Sequence, residues 1–509
     1  MSMGVVGKSY YSPQAAVMSR IGAGSLGTLS NWSPRRLSWT EEGRQREKLV
    51  DRANDIASNS AHGASLVDSI AVNTVGTGLW PQSKPNWKRL GITEEQAQEV
   101  AEQMEWEFEQ FAATADAGAA SAETATCNIY GIQFQNIYSL LVNGEFINIS
   151  LMLNDPGRRY SLALQVIDPI RLRTPAALVG RPDVRDGIRL GVNGRPAGYF
   201  IADPEDGRFT TSLDLRHFRE ITPAAGHRPN IFHRFIKKQP EHVRGVSVLA
   251  PAMKFFRDMA DYMDFELVGA IVASSFPVFI EKNSPFDATT GAIQGAPGDN
   301  NYYREAAPGS ILYGNSGEKP HILSGTRPNG SFAVFLETIL RAVGAAAGMP
   351  YEVVAKDFSK TNYSSARAAL EEAWRVFGQY QDWLVTYFCQ VVWQMVMEEA
   401  FLRGYIKLPK GAPDFYAARA EWTAATWIVP ERTQLDPVKE MAAAIMGLNA
   451  NIGTAADIAA KRGKDWEAQY TQRSREIKKA KELDLPSNTD AKRPAASKAK
   501  PEQPEGEDK

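Results

Sequence analysis

Asp258, Asp261 and Asp264 stand at i, i+3 and i+6 in MKFFRDMADYMDFELVGAIVASSFP, a spacing that sets three carboxylates near one face of a helix. Such a set can serve acid–base chemistry or line a cavity that repels an anion; a plain solvated face is the favoured reading. Lys356 and Lys360 lie in one short loop beside Tyr351, Phe358 and Tyr363. Alone they read as solvated surface, whereas in a ring of identical chains they would repeat as a basic collar around the axis. Asp168, in VIDPIRLRTP, is the carboxylate to test for general acid or base work, against the stronger reading that it caps a turn with Pro169. His227 and His233 suggest a ligand pair, but six residues of extended chain place their rings about 20 Å apart, too far for one ion.

Other chemistry is excluded by pattern. Gly4-Val5-Val6-Gly7-Lys8-Ser9 has two residues between its glycines where a phosphate loop needs four, and no strand precedes it. There is no G-x-S-x-G elbow and no HExxH, and the two cysteines, Cys127 and Cys389, are far apart. We therefore expect no catalytic residues, no metal, no cofactor and no disulfide framework, and a reducing compartment. The net charge of −2 and pI near 6.4 give no overall cationic field of the kind that drives tight DNA binding. No charged leader precedes an apolar core at the N-terminus, so no signal peptide is expected. The most apolar run, Leu267–Ile280, is shorter than the ~20 residues of a membrane span and contains Pro277, which is expected to end its helix.

The elements that would position these groups can be traced along the chain. Residues 1–40, rich in Gly, Ser and Tyr, read as a flexible arm. A helix should begin near Thr40 as N-cap, with Leu49, Ala53 and Ile56 on one face, and a second should run from Thr93 to Phe111 with Val100, Met104, Trp106, Phe108 and Phe111 as its apolar set. VNTVGTGLWPQSKP connects them. From Asn128 to Leu215, INISLML, RYSLALQVI and AGYFIAD alternate as half-buried strands. After the long amphipathic helix that holds the aspartates, Asn283–Gly330 is Gly- and Pro-rich with short β-like pieces such as SILYG. Ser331–Gly348 carries an apolar stripe of Phe332, Phe335, Leu336, Ile339, Leu340 and Val343, and Pro350 is expected to stop it. A helix over 364–403 would be roughly 60 Å long. A smaller helical region reaches Leu485, including PVKEMAAAIMGLN and DWEAQYTQRSREIKKAKEL, and the Ala, Pro, Lys and Glu tail 486–509 cannot build a core. The fold class is α+β.

Five segments, in order, carry a family resemblance: TVGTGLWPQ (Thr74–Gln82), VIDPIRLRTP (Val166–Pro175), IFHRF (Ile231–Phe235), VRGVSVLAPAM (Val243–Met253) and MPYEVVAKDFSKTNYSSARAAL (Met349–Leu370). In these the chain resembles the lambda-type tailed-phage portal proteins; the last two segments are the specific ones, and the arm and everything after Arg403 match no motif.

The resemblance implies a portal-type fold with an α/β wing over 41–246, long stem helices over 247–282 and 331–348, a small clip at 283–330 and a tunnel loop at 349–363. A long helix over 364–403 would link wing and crown, with a helical wing or crown region over 404–485. Arg244, Gly245 and Pro251 would form the turn into the stem, and Pro350, Asn362 and Tyr363 would bound the tunnel loop. The implied protein is a non-enzymatic ring, usually of twelve subunits, at the capsid vertex of the virion. It would pass double-stranded DNA along a channel that Lys356, Lys360, Asp258, Asp261 and Asp264 are expected to line. It would be assembled in the host cytoplasm, with the terminase large subunit, the major capsid or scaffold protein and a head-completion adaptor as partners, and with no membrane. Two other readings remain at this point: a hydrolase-type α+β enzyme using Asp168 or the Asp258 cluster, and a ring scaffold that passes no DNA.

Overall fold

A computed structural model describes residues 39–203, 217–274, 278–282, 318–322, 331–430, 437–461 and 466–483. Gly4–Ser9 and nearly all of the arm, Pro277, SILYG and most of the Gly/Pro-rich stretch, and the tail lie outside them.

Helix α1 (Trp39–Asn59) starts one residue before Thr40, which therefore sits inside the first turn and is not the N-cap. Its Ala53 and Ala57 are buried. Ser60 then caps a helix that the sequence reading passed over, α2 (Ala61–Val75), by accepting from the Gly63 N–H, and it buries Leu66, Val67 and Ile70. Beyond β1 (Trp80–Ser83), helix α3 (Glu94–Ala112) opens with a reciprocal cap in which the Thr93 hydroxyl accepts from Gln96 N–H and the Gln96 side chain accepts from Thr93 N–H. Val100, Met104, Phe108 and Phe111 are buried as expected, but Trp106 is half exposed.

Helix α4 (Ile129–Val142), capped by Asn128, leads into β2 (Glu145–Met152), which pairs antiparallel with β3 (Leu162–Ile167) on one side and β10 (Ile231–Phe235) on the other. Strand β2 was expected to be half-buried, yet residues 145–149 are all buried. It is enclosed on both faces: Phe146 points into the main core, while Ile147 and Ile149 join a second cluster with Leu172, Ile188 and Ile201. That second cluster is roofed by β4 (Val184–Arg185), β5 (Ile188–Leu190), β6 (Pro196–Ala202) and β7 (Phe218–Ile221), an antiparallel sheet in that order. β8 (Ala224–Ala225) and β9 (Arg228–Pro229) make a small ladder before β10. Every strand ladder among the described residues is antiparallel, which makes the class α+β.

Helix α5 (Met253–Ser274) follows a 3-10 turn at Ala250–Ala252, so Pro251 lies in that turn and not in the first turn of the helix. The short strands β11 (Val278–Lys282) and β12 (Glu318–Ile322) pair antiparallel before α6 (Phe332–Ala347). Gly348, at φ 71°, ends α6 through its N–H to the carbonyls of Gly344 and Ala345; Pro350 instead precedes a short helix, α7 (Tyr351–Ala355). α8 (Tyr363–Leu384) runs through a π turn at Val385–Cys389 into α9 (Gln390–Leu402). The second half of this long helix is core: Phe388 packs edge-on against Phe146 and Phe232, and Trp393 against Phe108. The chain then returns to its beginning, as β13 (Ala425–Ile428) pairs with β1. α10 (Pro437–Asn449), α11 (Ala455–Lys461) and α12 (Trp466–Glu482) complete the described chain.

Candidate functional site

Two sets of polar groups bracket α5 and α6, one at the turn into α5 and one in the loop after α6.

At the turn, the backbone of Gly144 and Gly245 nearly touch. A Cβ on Gly245 would fall 1.8 Å from the Gly144 carbonyl oxygen, and one on Gly144, already at φ +86°, would fall 2.4 Å from Val246. The approach brings Arg244 onto Glu145 at the start of β2. Arg244 Nε donates to both carboxylate oxygens at 2.7 and 2.9 Å, Nη1 to the carbonyls of Leu172 and Asp186 at 2.8 and 2.9 Å, and Nη2 to Glu145 and to the Pro169 carbonyl at 3.1 Å. The Gly245 N–H donates to Glu145 at 3.1 Å, and His233 Nε2 lies 2.9 Å from the same carboxylate. An ionised carboxylate only accepts, so Nε2 carries the proton. Burial alone would raise the Glu145 pKa, but Arg244 and His233 hold it far below the usual carboxylate range. Burial is also the main reason His233 is held below the ordinary imidazole value. Asp186 carries the network outward to Arg46 of α1 at 2.6 Å.

The role expected for Arg244 and Gly245 as a turn thus has a physical basis, but their partners Glu145, His233, Asp186 and Arg46 were missed. One signal was available: Glu145 opens the apolar run EFINISLM, and a charge buried there requires a partner.

On α5, Asp258 and Asp264 are exposed, whereas Asp261 is paired with Arg257 at 2.8 Å. The three aspartates lie within the first twelve of its 22 residues. In the second half Phe265, Leu267, Val268 and Ile271 are exposed by 75, 61, 56 and 57%. α6 packs beside it through Tyr262, whose ring lies 5.5 Å from Phe332 and 4.9 Å from Phe335.

In the loop, Lys356 adopts φ 53° as the left-handed end of α7 and is exposed. Lys360 does not stand free: its Nζ is 2.8 Å from Glu337 of α6, which also pairs with Arg341 at 2.7 Å. Asn362 caps α8 by accepting from Ser365 N–H at 2.8 Å, Pro350 precedes α7, and Tyr363 is half exposed, so all three sit at the ends of the loop. Val354 anchors it, buried against α2, with the Ser65 hydroxyl 3.4 Å from its carbonyl.

The rival catalytic groups have structural duties. Asp168 Oδ1 accepts from Ile170 N–H at 3.0 Å and caps the 3-10 turn begun by Pro169; His227 is exposed while His233 faces Glu145. Among the described residues no cluster of His, Cys, Asp and Glu could hold a metal, and no helix is long and apolar enough to cross a membrane.

The described turn-helix and helix-loop-helix fall inside residues 26–381, which match the family described as phage portal protein, lambda family. The chain belongs to that family. It is 25% identical to the portal protein of Escherichia phage N15 over 482 residues, covering 89% of this chain and 88% of that one. It is 24% identical to portal protein B of Escherichia phage lambda over 491 residues, with the same coverages. The probable portal protein of Halomonas phage phiHAP-1 is 23% identical over 456 residues, 87% of this chain and 82% of that one. A solved structure of the neck of an empty GTA particle, computed with C6 symmetry, aligns with a TM-score of 0.43 and 15% identity over 83% of this chain and 91% of that one, a likeness too distant to add to the assignment.

Proposed function

We propose that the portal protein acts as one subunit of a ring, twelve in the family pattern, at the capsid vertex of the virion, and that double-stranded DNA passes through it. The observation that carries this reading, beyond the family, is the exposed apolar surface on α5 and α6. Phe265, Leu267, Val268 and Ile271, with Val334 and Phe335 of α6 exposed by 64 and 47%, put large exposed apolar side chains on two neighbouring helices, the kind of surface that marks an interaction site. In a ring, identical neighbours cover it.

In this reading α5 and α6 are the stem helices, 283–330 the clip that meets terminase and later the adaptor, 349–363 the tunnel loop, and 364–403 the long helix. The charges then fit a conduit. A bore that gripped every phosphate would cost on the order of a kcal/mol per contact at each advance, stalling the duplex. Exposed Asp258 and Asp264 repel the backbone, and Lys356 supplies a thin basic collar. Lys360, tied to Glu337, contributes less positive field than the sequence suggested.

No nucleotide hydrolysis is expected in the ring itself; the work comes from a separate terminase. Light scattering of the purified protein should show a particle of roughly 670 kDa, twelve chains of 56.1 kDa. A monomer or dimer, or ATP hydrolysis by the pure ring, would count against the reading.

A further inference from the structure

Helix α10 is apolar on most of its circumference and is nonetheless exposed to water. From Met441 to Ala450 no residue carries a charge, and no described element packs along the helix. A helix that is apolar all round belongs inside something.

Its exposure divides into two flanks. Successive residues turn by about 100° around a helix axis, which fixes where each side chain points. Between Met441 and Asn449 only Ala444 and Gly447, one turn apart, are partly covered, so their side faces the rest of the chain. Roughly 110° to one side stand Val438, Met441, Ile445 and Leu448, exposed by 79, 42, 51 and 39%. Their spacing of three, four and three residues is that of a helix-packing seam. Roughly 125° to the other side, Ala442 and Ala443 flank Met446, which is exposed by 69%. The first flank is a ridge of bulky side chains. The second is shallow, with one unbranched side chain that can adapt to what lies against it.

The two flanks select the partner. A two-fold copy would set like flank against like and leave the other in water, and a foreign chain on one flank would do the same. A head-to-tail neighbour covers both, because every copy offers its ridge on one side and its shallow flank on the other. We propose that α10 packs between the α10 helices of two neighbouring copies of this chain, the ridge of Val438, Met441, Ile445 and Leu448 seated on the Ala442, Ala443 and Met446 flank of the next. This is a second seam around the ring, separate from the apolar surface on α5 and α6, and it rests on the ring reading.

Cross-linking of the intact full-length particle tests it. Ile445→Cys puts a thiol on the ridge and Ala443→Cys puts one on the shallow flank of the same chain. With a short bis-maleimide, the double variant should give a ladder of cross-linked chains on a denaturing gel. Each single variant should give no more than the wild-type chain, whose Cys127 and Cys389 set the background. In a second arm, Ile445→Glu should raise the protein concentration at which rings dissociate at least about tenfold, and adding Met446→Lys should restore most of that loss. Residues one apart on a helix do not face each other, so the rescue has to act between copies. All three positions are exposed, and unchanged melting of the variants establishes that the fold is kept. A dimer formed by Ile445→Cys alone, an intact ring without the ladder, or Met446→Lys without rescue would overturn the proposal and leave the ring reading standing. If light scattering shows no ring, both fall together.

Discussion

Arg244 and Glu145 form a buried pair, 2.7 and 2.9 Å from Nε to the two carboxylate oxygens, with side chains only 2 and 1% exposed. The pair joins the turn into α5 to the first residue of β2. Glu145→Gln would leave the guanidinium buried and short of its counter-charge, so it should destabilise the fold by about 3–5 kcal/mol. Arg244→Lys should fail to restore stability although it keeps the charge, because an ammonium cannot reach Leu172, Asp186, Pro169 and Glu145 together. Denaturant unfolding of the two variants checks both statements.

The same network sets the acid limit of the fold. Glu145 and His233 both have folded pKa values below their unfolded ones. For each, the unfolded state binds more protons once pH falls through the unfolded value. Stability should therefore decline from about pH 6.5 downward as His233 becomes protonated on unfolding, and more steeply below about pH 4.5 as Glu145 does. His233→Gln should flatten the upper part of that decline. Melting temperatures across pH 4 to 8 (about four units, at constant salt) would show it.

Two glycines should respond in opposite ways. Gly245→Ala places a methyl 1.8 Å from the Gly144 carbonyl, so the turn cannot close and the protein should lose more than about 4 kcal/mol. Gly378 lies within α8 with open space where its Cβ would go, so Gly378→Ala should stabilise by about 0.5–1 kcal/mol. Soluble yield and melting temperature separate the two.

The apolar faces of α5 predict an assembly phenotype. Phe265→Glu with Val268→Glu changes exposed residues and should leave the melting temperature of the single chain intact while abolishing the large particle. Sizing by light scattering reads the outcome; a full-size ring would remove the support that these residues give to the stem assignment.

Channel charges should act on DNA movement and not on folding. Asp258→Lys with Asp261→Lys should slow packaging in a salt-sensitive way, the larger share coming from Asp258 because Asp261 is already paired with Arg257. Lys356→Glu should disturb packaging more than Lys360→Glu, and Glu337→Lys combined with Lys360→Glu should recover much of the single-variant loss. Packaged DNA length per unit time is the readout.

The legible parts of the chain were those governed by local rules. The start of α3 at Thr93, most of its apolar set and the long helix expected over 364–403 and found over 363–402 follow from residue spacing within a few turns. What escaped were relationships between distant residues. Helix α2 was absorbed into a connection because its sequence is apolar on most sides and carries weak periodicity. β2 read as half-buried because nothing local reveals a second sheet on its other face. Pro350 was assigned the end of α6, where Gly348 in the left-handed region serves instead. Lys360 looked free because Glu337 is 23 residues away, and the partners of Arg244 are as much as 99 residues distant.

The central claim is tested most directly by electron microscopy of the purified protein. The account predicts closed rings, twelve-fold in the family pattern, with the loop that carries Lys356 facing a central hole wide enough for a duplex about 20 Å across. Particles that stay as monomers or dimers, or rings whose hole is too narrow for DNA, would contradict it.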